Sequence, residues 1–159
     1  MTEKLRSTLT LLILLPWGLH GSIYRSCSHH RCLMHVHSTH STVLASLADS
    51  NLPPIDQNSA SFFNRIVIDN NDSGLAFADE GERCGKMLRD PKKKLMIMGN
   101  HGVIIMGDNV ADAFNRMYYF ERAAETYIKA LQTGKRLRLF FEKIAELVVE
   151  ETEKISRVC

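Results

Sequence analysis

Apolar and polar positions along the chain fall into stretches of two kinds, some with the spacing of a helix and some short apolar runs that read as strands. Trp17 to Cys27 reads as a short helix, with Leu19 and Ile23 four apart. Cys32 to His37 (CLMHVH) reads as a strand, and Ser38 to Ala48 as a helix opened by Ser38 or Thr39. Pro53-Pro54 interrupts the chain before a strand at Arg65 to Asp69 (RIVID), which the polar run Asn70-Asn71-Asp72-Ser73-Gly74 closes. A helix follows at Glu80 to Leu88, then strands at Leu95 to Met98 and Val103 to Met106. The longest helix starts on Asp108 or Asn109, runs to about Gln132 and stops at Gly134. Its apolar stripe is expected to be Val110, Phe114, Met117, Ala124, Ile128 and Leu131. A last amphipathic helix carries Leu137, Phe141, Ile144, Leu147, Val148 and Ile155.

Strands alternating with helices predict an α/β fold, a three-layer αβα sandwich. The short link between the Leu95 and Val103 strands makes its central sheet mixed. At 159 residues, with 45% hydrophobic and 24% charged positions, the chain suits one globular domain. A formal charge of +2 gives no case for a nucleic-acid partner. Lys92-Lys93-Lys94, after Pro91, reads as a solvated turn. No stretch is long enough to span a bilayer, so no membrane partner is expected.

Cys27, Cys32, Cys84 and Cys159 form no CxxC pair, which suggests reduced thiols in a cytoplasmic protein. With Cys159 as the last residue there is no CaaX prenylation box. Lys4 and Arg6 ahead of Leu9 to Leu15 resemble a weak signal peptide, and secretion is the lesser alternative.

Six of the seven histidines, His20, His29, His30, His35, His37 and His40, lie between positions 20 and 40. A strand sends alternate side chains to one face, so His35 and His37 present two imidazoles side by side. Alone, an HxH pair is better explained by two half-buried strand histidines with hydrogen-bonded rings. The third element is Gly99-Asn100-His101-Gly102, directly after the apolar run Leu95 to Met98. Flanking glycines let the backbone bend there and carry His101 over the sheet edge. Three imidazoles with one open coordination position make the donor set of a catalytic divalent metal, zinc first among them.

HGSIYRSCSHHRCLMHVHS, LPPIDQNSA, MIMGNHGVIIMG and FNRMYYFERAAETYIKALQTGK, in that order, resemble the class II aldolase/adducin family. The resemblance, closest to the adducin-like branch, covers Trp17 to Leu139. Residues 1–16 are then an atypical N-terminal segment and residues 140–159 a C-terminal amphipathic helix. It implies that His35, His37 and His101 bind zinc, and that the family's homo-oligomers are to be expected here. It also implies a fold incomplete at its N-terminal side, because no phosphate-holding loop is readable in MTEKLRSTLTLLILLP. An exposed apolar edge would then favour self-association. Aldolases of the family place an acid/base glutamate four residues before a histidine that His20 matches; that register puts Pro16 here, and Glu3 lies too far upstream to replace it locally.

Two functions follow from the resemblance. One is a metal-dependent lyase acting on a small carbonyl or sugar-phosphate-like substrate, with low activity or none. The other is an adducin-like, non-enzymatic module associated with the actin cytoskeleton. Other residues take smaller roles. Glu121 sits on the apolar side of the long helix, where a carboxylate needs a partner, a metal-bound histidine's second N–H or an arginine such as Arg83 or Arg116, unless it is simply a glutamate at the helix rim. His29 and His30 read as loop residues and His40 as a helix-start residue near the site. Asn100 shapes its turn, and Asp56, Gln57 and Asn58 either line the cleft or form a capped turn. Tyr118 and Tyr119 read as core or interface aromatics.

Overall fold

A computed structural model describes residues 18–71 and 78–156. The signal-peptide-like stretch with Glu3 and Pro16, the end of the Asn70–Gly74 turn, and Cys159 lie outside the described residues. In chain order the elements are helix α1 (18–26), strand β1 (Cys32–Val36), helix α2 (Thr39–Ala45), the short helix α3 (Gln57–Ala60) and strand β2 (Ile66–Asp69). Helix α4 (Ala78–Met87), strands β3 (Leu95–Met98) and β4 (Gly102–Gly107), and helices α5 (Val110–Gln132) and α6 (Glu142–Ser156) follow.

The sheet order is β1-β4-β3-β2. β4 runs antiparallel to both β1 and β3, while β2 and β3 are parallel. The mixed sheet expected from the short β3–β4 link is therefore present. Its two central strands are buried at every position, so they read as continuous apolar runs rather than alternating ones. Strand alternation still divides them between two cores. Met96, Met98, Ile104 and Met106 pack with Leu19 and Ile23 of α1 and Cys84 of α4. Leu95, Ile97, Val103 and Ile105 pack on the other face with Leu44 of α2 and Phe120 and Ala124 of α5. That is the three-layer αβα arrangement.

Helix α5 begins and ends where its signals put it. Asn109 is the N-cap and accepts from the Asp112 N–H at 2.9 Å, and Gly134 takes the left-handed φ of 65° beyond the last turn. The expected stripe holds at Ala124, Met117 and Ile128, which face the core, but not at its other positions. Val110 is 67% exposed and Phe114 55%, while Ala113, Phe120, Ala123, Ala124 and Tyr127 are buried. The reason is the close approach of α5 to the end of β4. A Cβ at Gly107 would lie 2.5 Å from the Ala113 nitrogen, so position 107 admits no side chain and the helix lays Ala113 against it. Helix α6 departs in the same way. Ala145 and Val149 are buried, whereas Ile144, Leu147 and Ile155 are exposed, as is Phe141 just before the helix. Arg65 anchors this helix through Glu153 at 2.8 Å and Glu146 at 3.3 Å. Among the described residues no helix is long and apolar enough to cross a membrane, and the cysteines at 27, 32 and 84 are free thiols.

Candidate metal centre

β1 pairs with β4 so that His35 stands opposite Ile104 and Val36 opposite Val103. This register brings the end of β1 beside the turn that joins β3 to β4, and that turn carries His101. The turn is fixed from three sides. The Gly99 N–H donates to the Asp69 carbonyl at 2.8 Å, the Asn100 N–H to the Ala45 carbonyl at 2.9 Å and the His101 N–H to the Met98 carbonyl at 3.1 Å. Asn100, with φ 55°, is the residue in the left-handed region, so the backbone freedom assigned to the flanking glycines is used at the asparagine instead. Asparagine tolerates that conformation better than most side chains. Gly102 serves a different need, which is space. A Cβ there would lie 2.6 Å from both His37 Cδ2 and the Val36 carbonyl oxygen.

The three imidazoles meet. Each pair of ring centroids is 4.8 Å apart, and one nitrogen from each ring lies within 4.8 Å of the others. His35 Nδ1–H donates to the Val103 carbonyl at 3.2 Å. That bond fixes the tautomer and leaves the Nε2 lone pair facing the other rings. His37 Nε2 comes within 2.9 Å of it. Nitrogens about 2.0–2.1 Å from a tetrahedral zinc stand about 3.3 Å from each other, so a separation of 2.9 Å needs to widen by only a few tenths of an ångström. Burial holds the His35 pKa at about 4, helped by His101, His37 and His20 and opposed by the Val103 carbonyl. A ring kept neutral has its lone pair ready for a cation. His37 is exposed, so the cluster opens to solvent on one side. The donor set fits a divalent metal ion on chemistry and on placement.

His20, on α1, lowers the His35 pKa slightly through its charge, and burial lowers its own pKa. His40 opens α2, while His29 and His30 lie before β1, away from the cluster. His30 is 4% exposed, and its pKa is lowered to about 4 by burial, Lys94 and His29.

Glu121 gathers the start of α2. Its carboxylate accepts from the His40 N–H at 2.8 Å, His40 Nδ1 at 2.9 Å, the Ser41 N–H at 2.9 Å and Ser41 Oγ at 2.6 Å. Burial pushes its pKa up, but the bonds from Ser41, His40 and Ser38 outweigh this and hold it at about 2. The acceptor on His35 is the Val103 carbonyl, so Glu121 acts on the segment that follows His37. The arginines considered for it are engaged elsewhere: Arg83 with Asp69 at 2.8 Å and Arg116 with Asp112 at 3.0 Å.

Asp56 is the N-cap of α3, in a reciprocal capping box with Ser59. This is the capped turn extended into a helix. Gln57 and Asn58 line a groove between α3, α5 and α6, with Tyr119 on its wall, away from the histidines. Tyr118 and Tyr119 are 48% and 42% exposed, so neither is a core aromatic. They stack edge-to-face on α5 with centroids 5.3 Å apart.

Comparison with known proteins fits this geometry. Residues 15–128 match the family described as Class II Aldolase and Adducin N-terminal domain. Human beta-adducin is 28% identical over 117 residues, which is 73% of this chain but 16% of beta-adducin. The chain therefore spans about one sixth of that relative's length. Among solved structures, an aldolase II superfamily protein from Pseudomonas syringae superposes with a TM-score of 0.75 at 24% identity, covering 86% of this chain and 54% of that one. L-fuculose 1-phosphate aldolase from Glaciozyma antarctica superposes with a TM-score of 0.71 at 21% identity, covering 84% and 49%.

Proposed function

On the premise that this chain belongs to the class II aldolase/adducin family, we propose that it holds one divalent metal ion, zinc first, on His35, His37 and His101 and acts on a small carbonyl-bearing, sugar-like molecule. The observation that carries this reading is the convergence of the three imidazoles, with the His35 tautomer set by the Val103 carbonyl. When bound, the ion supplies a Lewis acid that draws charge from a substrate hydroxyl and carbonyl.

The chain's own residues do the rest. The β1–β4 pairing holds His35 on a rigid strand and sets His37 one residue beyond its end, and the Asn100 turn holds the third ligand. The exposed side of His37 leaves room for a small molecule. Among the described residues no carboxylate joins the three histidines, and Pro16, in the glutamate register, lies outside them. A proton-transfer group is worth about 10²–10⁴-fold in rate. The reading is therefore of a metal-binding domain with weak or no lyase activity. Elemental analysis of purified protein, with His37→Ala beside it, tests it. One zinc or similar ion per chain, lost in the variant, is expected; equal metal in both proteins overturns it.

A second reading is an adducin-like interaction module, associated with actin and working without catalysis. The similarity to beta-adducin over most of this chain favours it. Cosedimentation with actin filamentsthat persists after the metal is chelated would select it. A homo-oligomer and a cytoplasmic location accompany both readings.

A further inference from the structure

A cavity lies at the end of the sheet opposite the histidines. Arg65 immediately precedes β2, Lys94 precedes β3 and Asp108 follows β4, whereas the histidines stand at the end of β1 and in the turn closing β3. At the rise of a strand, the four residues of β3 separate the two ends by about 13 Å. Between them, Arg65, Lys92, Lys94, Arg116, Asp108 and Glu153 line a cavity of about 350 Å³. Such a volume is at the small end of the range for small-molecule sites, about 300–1,000 Å³.

The expectation of a solvated lysine turn holds for Lys92 alone. Lys93 donates through Nζ to the Asn64 carbonyl at 3.1 Å. Lys94 is half-buried, and its backbone pairs with Arg65 and Met106 as a continuation of the sheet. Arg65 is held by Glu153 and Glu146, and Arg116 spends its Nε on Asp112. The Lys94 ammonium belongs to none of the ion pairs among the described residues. Burial lowers its pKa, Arg116 lowers it further, and Asp108, Glu153 and Asp112 only partly compensate. An ammonium facing a guanidinium across a cavity is the arrangement an anion relieves. Of the four cationic side chains in the lining, Arg65 and Arg116 are matched by acids, which leaves Lys92 and Lys94 as the lining cations outside the ion pairs of the described residues. Guanidinium and ammonium donors together match the several oxygens of a tetrahedral phosphate.

We propose that this cavity binds the phosphate of a small phosphate monoester, with Lys94 and the free N–H groups of Arg116 as its principal donors. The site is independent of the histidine cluster and stands whatever that cluster binds. Glycerol 3-phosphate, and separately inorganic phosphate, would be titrated into the full chain at constant ionic strength and followed by backbone amide shifts. Saturable shifts centred on residues 94 and 116 are expected. Lys94→Gln should weaken binding by about tenfold or more, while Lys94→Arg, which keeps the charge, should retain most of it. Unchanged affinity in a folded Lys94→Gln variant overturns the proposal. Shifts centred on residues 35, 37 and 101, or no saturation, overturn it too. Binding of inorganic phosphate without glycerol 3-phosphate would overturn the monoester assignment. Should Lys94→Gln fail to fold, the position of the shifts in the wild-type chain decides.

Discussion

Replacing Glu121 with glutamine changes one oxygen into an NH₂ group and removes a charge. The four bonds that the carboxylate accepts all come from donors at the start of α2. Glutamine keeps one acceptor, and its amide nitrogen must face the backbone N–H of His40 or of Ser41, a donor that it cannot satisfy. The size of the effect follows from the hold on the proton. A pKa lowered from the ordinary glutamate value to about 2 corresponds to about 3 kcal/mol at 1.36 kcal/mol per unit. The side chain is 24% exposed, and solvent screening brings this to about 2 kcal/mol. For a chain of this size that is a fall in melting temperature of about 4–8 °C. The sign with pH follows, because the folded-state pKa is depressed. The stabilisation is present above the unfolded glutamate pKa and is lost as pH falls from about 4.5 through about 2. Wild type and Glu121→Gln should thus differ at neutral pH and converge in that acid window. Urea unfolding of both proteins in a chelator measures the difference without contribution from metal. Equal stability at pH 7 would refute the reasoning that this carboxylate secures α2. A parallel metal titration asks a separate question: we expect an affinity about tenfold lower, because α2 starts directly after the His37 strand end.

Three further outcomes are expected. His35→Ala and His101→Ala should each lose the bound metal on elemental analysis, and retention in either would remove that residue from the ligand set. Gly102→Ala should displace His37, since its Cβ would lie 2.6 Å from the ring and from the Val36 carbonyl. A stability loss of about 1–3 kcal/mol by urea unfolding and weaker metal binding should appear together; a variant matching wild type in both would show that the strand end yields freely. Retro-aldol turnover on ketose and aldose phosphates should stay below the usual enzyme range of about 1–10³ per second; a metal-dependent rate within it would show that another group replaces the glutamate missing at Pro16.

The parts of this fold that could be read in the sequence are those whose causes are local. β3 and β4 declare themselves as apolar runs around a turn, and α5 by Asn109 and Gly134. The histidine trio is readable because the HxH spacing sets His35, on β1, beside His37, one residue past the strand end, and His101 follows a buried strand. What escaped depends on approach between distant segments. The buried side of α5 is chosen by contact of Ala113 with Gly107, so a stripe built on the largest side chains selects Val110 and Phe114, which face solvent. Arg65 to Glu153 and Glu121 to His40 are pairings across more than eighty residues, for which periodicity carries no signal. Lys94 escaped likewise: a run of three lysines looks uniform, yet only its last member is drawn into the sheet. His35 itself binds the Val103 carbonyl, a partner with no side-chain signature.

The pairing of β1 with β4 also has a consequence in time. His35 and its partner Val103 are 68 residues apart. At a synthesis rate of about 5–20 residues per second, β1 waits about 3–14 seconds for its neighbour to be made. During that interval the first strand and its two imidazoles are on a nascent chain with no sheet to join. The hairpin of β3 and β4, by contrast, closes across a tight turn as soon as it has left the ribosome. Assembly of the centre is then ordered, with the late hairpin as template and the early strand as the piece that docks on it. A chaperone or a free metal ion that engages residues 32–37 in that window meets them before the protein does.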